Sequence, residues 1–256
     1  MSFEPENKLE ESLMKAAKDP AHRPQFYRDF LEADIFIIQP TPSPEESGLI
    51  ILEQAKKIAI QSIEFNGKPC LPIFSSLPRL QAVLREEAGY LALNTLEFLK
   101  ITQGAGLVLN PGSDYGKEFS TKEIQSLLDG SIWQPAQVHE VEAPIQVQVG
   151  QPANYPHQLT EALTRLFKGL KEVKAAYLAH FFNPAEDEKP HTLIGIEVTG
   201  DWDRIVGEAG LVAKDIQIPD PPLDFMQIKG EGGSGIEDYF LKECRPFYKR
   251  KLFGLF

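Results

Sequence analysis

Two histidines, two cysteines and two glycine-rich runs are the residues whose type and spacing could carry chemistry. His180 and His191 fall on neighbouring strand-like segments, with Glu186, Asp187 and Glu188 between them. A metal ion would need several such ligands converging at about 2.0–2.2 Å, each oriented by a further partner. If Asn183 pairs beside His191, His180 lies three positions down the ladder, about 10 Å away, too far to share an ion. Both are read as structural, and no metal is expected. His22, His139 and His157 are isolated in the sequence.

Cys70 sits in the strand-like Lys68-Pro69-Cys70-Leu71-Pro72, and Cys244 lies between Glu243 and Arg245. Neither has the Cys-x-x-Cys spacing or the helix N-terminal setting that activates a thiolate. No Gly-x-Ser-x-Gly elbow is present. Gly230-Glu231-Gly232-Gly233-Ser234-Gly235 precedes a helical pattern, and free amides at a helix start attract phosphate. It matches neither the phosphate-binding loop nor the dinucleotide fingerprint. Glu231, Glu237 and Asp238 would also repel an anion. Gln103-Gly104-Ala105-Gly106 leads into a strand rather than a helix. These runs are read as loops, and no cofactor and no catalytic residue is expected.

The C-terminus has the most distinctive composition. From Arg245 onward it carries four basic residues, Arg245, Lys249, Arg250 and Lys251, and no acidic one, in a chain of net charge −11. Phe247, Tyr248, Leu252, Phe253, Leu255 and Phe256 add large apolar surface. Such a segment docks on its own body, on an acidic partner, or on a membrane surface. Docking on its own body is the simplest reading, because long basic stems cover apolar surface well.

Helical and strand patterns must position these residues. Leu9, Leu13, Ala16 and Ala17 form one helical stripe, stopped by Pro20. A second helix is expected over 24–33 and a buried strand over 35–38, followed by a loop at 40–47. Strands at 58–65 and 69–74 flank Asn66-Gly67, a hairpin signal. Ser76 is expected to cap a helix carrying Leu77, Leu80, Val83 and Leu84. A further helix spans 95–102, and a strand spans 106–109. Ser120 with Glu123 forms a capping box before a helix ended by Gly130. Residues 134–152 read as a linker, within which a strand at 145–149 opens the next pattern. A helix at 156–170, strands at 173–182 and 192–199, and a helix from Asp201 follow. Short strands at 215–218 and 224–228 flank Pro219-Asp220-Pro221-Pro222, and Ser234 with Glu237 opens a last helix.

The segment 173–182 is apolar on both faces: Ala175, Tyr177, Ala179 and Phe181 on one, Ala176, Leu178, His180 and Phe182 on the other. A half-solvated strand would alternate with polar residues. The strand is therefore central and covered twice, or one face meets a partner. Tyr177, Phe181, Phe247, Tyr248, Lys249 and Arg250 are the candidate interaction surface.

The chain has 256 residues, 42% hydrophobic and 25% charged, with pI near 5.0. That is a globular mixture. Its acidity argues against nucleic acid as a partner. No run reaches the length of a membrane span, and the N-terminus has no secretory pattern. Two cysteines fit a reducing cytoplasm.

Several segments resemble the enhanced serine sensitivity protein B (SseB) family of bacteria. They are Gly150-Gln151-Pro152 with Tyr155-Pro156, Val173 to Ala179, His191 to Glu197, Pro222-Leu223-Asp224-Phe225, and Pro246 to Arg250. In the first half they are Pro24 to Tyr27, Ile35 to Pro40, Leu71 to Leu84, and Leu107 to Gly112. The resemblance implies an N-terminal and a C-terminal α/β-type domain and no defined enzymatic activity. The family is named for a phenotype, altered sensitivity to serine.

The expected fold is α/β (or α+β), in two domains, residues 1–137 and 138–256, each a mixed sheet packed with helices. The expected role is a non-catalytic cytoplasmic protein that binds protein partners or regulates, with a homo-oligomer as one form. The alternative is a small-molecule, amino-acid-related sensor or enzyme with a pocket between the domains.

Overall fold

The computed structural model describes residues 3–39, 60–86, 88–134, 146–230 and 235–251. Expectations for the loop at 40–47, the start of the strand at 58, most of the linker, the Ser234 cap and residues 252–256 lie outside those residues. The class is α+β, and the chain divides into two compact units, Met1–Ile132 and Trp133–Phe256.

In the first unit, α1 (Lys8–Lys18), α2 (Arg23–Glu32), β1 (Asp34–Gln39), β2 (Ile63–Phe65) and β3 (Lys68–Ile73) come first. They are followed by α3 (Leu77–Gln81), β4 (Gly89–Asn94), α4 (Thr95–Ile101), β5 (Gly106–Leu109), β6 (Lys117–Phe119) and α5 (Thr121–Leu128). β2, β3, β5 and β6 form one sheet in that order, and β1 pairs antiparallel with β4 in a second. The β2–β3 hairpin turns at Asn66 and Gly67, both at positive φ (50° and 74°). That is the backbone an Asn-Gly pair supplies at little cost. Phe26, Phe30 and Phe119 stack in the core, Phe30 and Phe119 with ring centroids 4.5 Å apart.

The Ser120 hydroxyl accepts from the Glu123 amide, one half of the capping box, while the Glu123 carboxylate takes the Tyr27 hydroxyl and pairs with Lys117. Ser76 stands at the N-cap of α3, but its side chain makes no capping hydrogen bond. Its hydroxyl donates to Glu10 instead, and the helix ends at Gln81, short of Val83 and Leu84.

The second unit contains β7 (Gln148–Gly150), α6 (His157–Gly169), β8 (Val173–Phe182), β9 (His191–Val198) and α7 (Trp202–Ala213), then β10 (Leu223–Ile228), α8 (Gly235–Glu243) and β11 (Tyr248–Lys249). The sheet order is β10-β9-β8-β11, and β7 also pairs with β8. β8 is thus central, with β9 on one side and β7 and β11 on the other. Its two apolar faces are both covered. Ala175, Tyr177 and Ala179 pack with Leu193, Ile228, and Phe240 and Cys244 at α8. Gly195 opens room for this, since a Cβ there would lie 3.0 Å from the Phe240 ring. On the other face, Tyr248 pairs opposite Ala176 and reaches α6. Residues 215–218 form no strand; α7 runs on to Ala213 and the chain then turns.

Candidate functional site

The C-terminal segment is built into the sheet. The Phe247 amide donates to the Ala176 carbonyl (2.9 Å), and the Arg250 amide donates to the Lys174 carbonyl (2.8 Å). Between them Tyr248 and Lys249 form β11. The Tyr248 ring lies 5.7 Å from Phe167, and its hydroxyl donates to the Phe167 carbonyl (2.9 Å). Arg250 Nε donates to the Val173 carbonyl (3.1 Å), and its Nη2 donates to the carbonyls of Leu170 and Phe167. The Phe167 and Leu170 carbonyls lie at the C-terminal end of α6, where a cation is favoured, and the Val173 carbonyl opens β8. The segment therefore docks on its own chain through residue 250. Among the described residues, ring burial and carbonyl acceptors hold it, rather than surface carboxylates.

Docking leaves a shallow groove of about 610 Å³ between Phe247 and the outward face of α6. The inward face of α6 is Leu159, Leu163, Leu166 and Phe167. The outward face places His157, Glu161, Arg165 and Lys168 along one stripe. Arg165 lies 3.9 Å from Glu161. Exposed Tyr155 sits over His157 at 4.8 Å, and half-buried Phe247 lies 6.5 Å from Phe167.

The six candidate residues do not form one patch. Tyr177 is 8% exposed beneath Phe240, and burial pushes its hydroxyl pKa up, with Glu197 and Cys244 adding to the shift. Phe181 is half-buried on that same face, beside His191. Tyr248 is buried against α6, while Phe247, Lys249 and Arg250 keep exposed surface. Tyr155, Arg165 and Lys168 join Phe247, and the sequence reading did not include them. Their signal was two cations on the polar face of an amphipathic helix and an aromatic just before it, a pattern shared by most surface helices.

The two histidines point to opposite faces of the sheet, because His180 pairs with Thr192 and Phe181 pairs with His191. The expected offset of three positions, with Asn183 beside His191, is one position in this register, because Phe181 takes that place. His180 Nε2 donates to Asp220 Oδ2 (2.9 Å), and His191 Nε2 donates to Asp224 Oδ2 (2.8 Å). His191 Nδ1 has no hydrogen-bond partner and no accessible surface, and Asp187 Oδ2 stands 3.6 Å away. An atom so enclosed cannot take a proton from a substrate. Among the described residues, no three His, Cys, Asp or Glu side chains are placed to hold a metal ion.

Both thiols are buried, and burial raises both pKa values. Glu118 adds to the shift at Cys70 and Glu243 at Cys244, where hydrogen bonds with Gln151 and Tyr239 oppose it.

In the first unit, Glu10 is fully buried. It accepts from Ser75 Oγ (2.7 Å), Ser76 Oγ (2.8 Å), Arg79 Nη2 (2.9 Å) and the Glu6 amide (3.0 Å). Asn110, at φ 51°, takes the Ser75 amide on its side-chain oxygen (2.9 Å). This network lies beyond the C-terminal ends of parallel β3 and β5, where α/β sheets often bind ligands. Here its acceptors are filled by the chain itself, and its work is to tie α1 to the sheet.

Two family models match the chain: the SseB protein N-terminal domain over residues 9–126, and the SseB protein C-terminal domain over residues 141–250. Protein SseB of Escherichia coli (strain K12) is 34% identical over 255 residues, covering 98% of this chain and 95% of its own. Protein SseB of Shigella flexneri has the same identity and coverage. No solved structure matches the chain.

Proposed function

The chain belongs to the SseB family, and from that premise we propose that it is a non-catalytic, cytoplasmic protein that acts by binding another protein, in a regulatory role linked to serine sensitivity. One observation carries the reading: a docked C-terminal segment presents Phe247 beside the exposed cations of α6 and Tyr155 just before that helix. An aromatic anchor next to charged groups is the usual make-up of a protein-binding patch. The enclosed state of the reactive groups supports it further. The thiols are buried with raised pKa values, and the free nitrogen of His191 has no accessible surface.

The test uses full-length protein as bait in extract of the native bacterium, followed by binding measurements with purified components. A protein that binds saturably and reversibly to the purified chain is expected. Retention of a metabolite, with turnover or a thermal shift and no protein partner, would replace this reading with the small-molecule alternative.

A further inference from the structure

The groove between α6 and the C-terminal segment has a composition that specifies its occupant. We propose that it binds a short acidic polypeptide segment carrying an aromatic or aliphatic anchor, contributed by a different protein. This rests on the protein-binding role proposed above and names the partner chemistry of that site.

Charge and shape both lead there. The chain is acidic overall, at −11. Exposed Arg165 and Lys168 of α6 line the groove, and exposed Lys171 follows two residues after the helix ends. Glu161 pairs with Arg165 (3.9 Å) and Glu172 with Arg204 (2.7 Å), which leaves Lys168 and Lys171 as the local surplus. The local excess is therefore positive on a molecule of opposite sign, which orients an acidic partner towards this face. Tyr155 and Phe247 stand as aromatic walls, and a groove of about 610 Å³ admits one or two side chains between them. A long polyanion such as RNA would meet the repulsion of the whole acidic body. A short acidic segment meets only the local field, within about one Debye length.

The probe is a fluorescein-labelled hexapeptide, Glu-Asp-Trp-Glu-Leu-Asp, followed by fluorescence anisotropy with the full chain. Its controls are Gln-Ser-Trp-Gln-Leu-Ser, a single-stranded RNA oligonucleotide and vesicles containing phosphatidylglycerol. The acidic peptide is expected to bind more tightly than the neutral one, with an affinity that falls as salt rises. Arg165→Glu with Lys168→Glu should weaken it about tenfold. Phe247→Ser should weaken both peptides alike, and Lys100→Glu, a surface charge reversal in the other unit, should change nothing. Thermal melting of each variant separates lost binding from lost folding.

Equal binding of the acidic and neutral peptides would overturn the proposal, as would an unchanged affinity in the doubly reversed variant. Preferential binding of RNA or vesicles, or dimerisation seen by sedimentation and abolished by the same reversal, would also overturn it. If a purified partner binds the chain with equal affinity when Arg165 and Lys168 are reversed, the groove is refuted while the protein-binding role stands.

Discussion

Glu10 accepts from four residues while having no exposed surface, so its charge is committed to the fold. Burial alone pushes its carboxyl pKa up. Hydrogen bonds from Arg79, Ser75, the Glu6 amide and Ser76 outweigh that and hold it below the ordinary glutamate range. Glu10→Gln keeps the volume but turns an amide NH₂ towards hydroxyl and guanidinium donors. The variant should lose about 3 kcal/mol in urea unfolding. The pH dependence has a defined sign. The folded pKa is the lower one, so this contribution is fully present above the unfolded value, about 4.3, and is lost as pH falls through the folded value. Wild type should therefore lose stability more steeply than Glu10→Gln below about pH 4. Parallel acid limbs would refute the assignment. The thiols allow a second prediction at this scale. With Cys70 and Cys244 buried and their pKa values raised, iodoacetamide at pH 8 should label native protein at least about tenfold more slowly than unfolded protein. Intact-mass spectrometry reads this directly, and rapid labelling of either thiol in the native state would contradict it.

The elements that were legible in the sequence are those with strong periodicity. α6 appeared through Leu159, Leu163, Leu166 and Phe167, and the β2–β3 hairpin through Asn66-Gly67. β8 was legible as a doubly covered strand because neither of its faces alternates with polar residues. Short or weakly patterned pieces were not. β4, Gly-Tyr-Leu-Ala-Leu-Asn, lacks a polar face, and β6 has only three residues. Ile216 and Ile218 alternate like a strand, yet no neighbour pairs with them. Ser76 has the chemistry of a cap, but a buried carboxylate from α1 takes its hydroxyl, a tertiary effect with no local signal. The groove is illegible for the same reason, since Lys168 and Phe247 meet only after β11 docks. That docking can be tested by altering one residue at a time. Arg250→Ala removes the donors to Phe167, Leu170 and Val173 and should cost about 1–2 kcal/mol. Deleting residues 246–256 should lower the melting temperature further. Because the partners are backbone carbonyls and buried rings, the loss from the deletion should change little between low and high salt. A loss that disappears at high salt would mean that surface ion pairs hold the segment instead.

At the scale of the molecule, the three sheets divide between two compact units, two of them in Met1–Ile132 and one in Trp133–Phe256. The two family models likewise end at residue 126 and begin at residue 141. We propose that the domains are residues 1–137 and 138–256, each near the common domain size. Each should then fold alone and unfold cooperatively on heating. The choice of cut has a structural consequence within the second unit. The Trp133 backbone lies so close to α7 that a Cβ on Gly207 would fall 1.8 Å from the Trp133 carbonyl oxygen. A fragment beginning at 138 lacks that covering segment, and one beginning at 133 retains it. The fragment 133–256 should therefore melt higher than 138–256, with both showing a single sigmoidal transition by circular dichroism. Equal melting temperatures would mean that the Trp133 contact contributes nothing and that the boundary at 137 is sufficient. A fragment 138–256 with no cooperative transition, rescued by the longer start, would move the boundary to 132. Absence of a transition in both would refute independent folding of the C-terminal half.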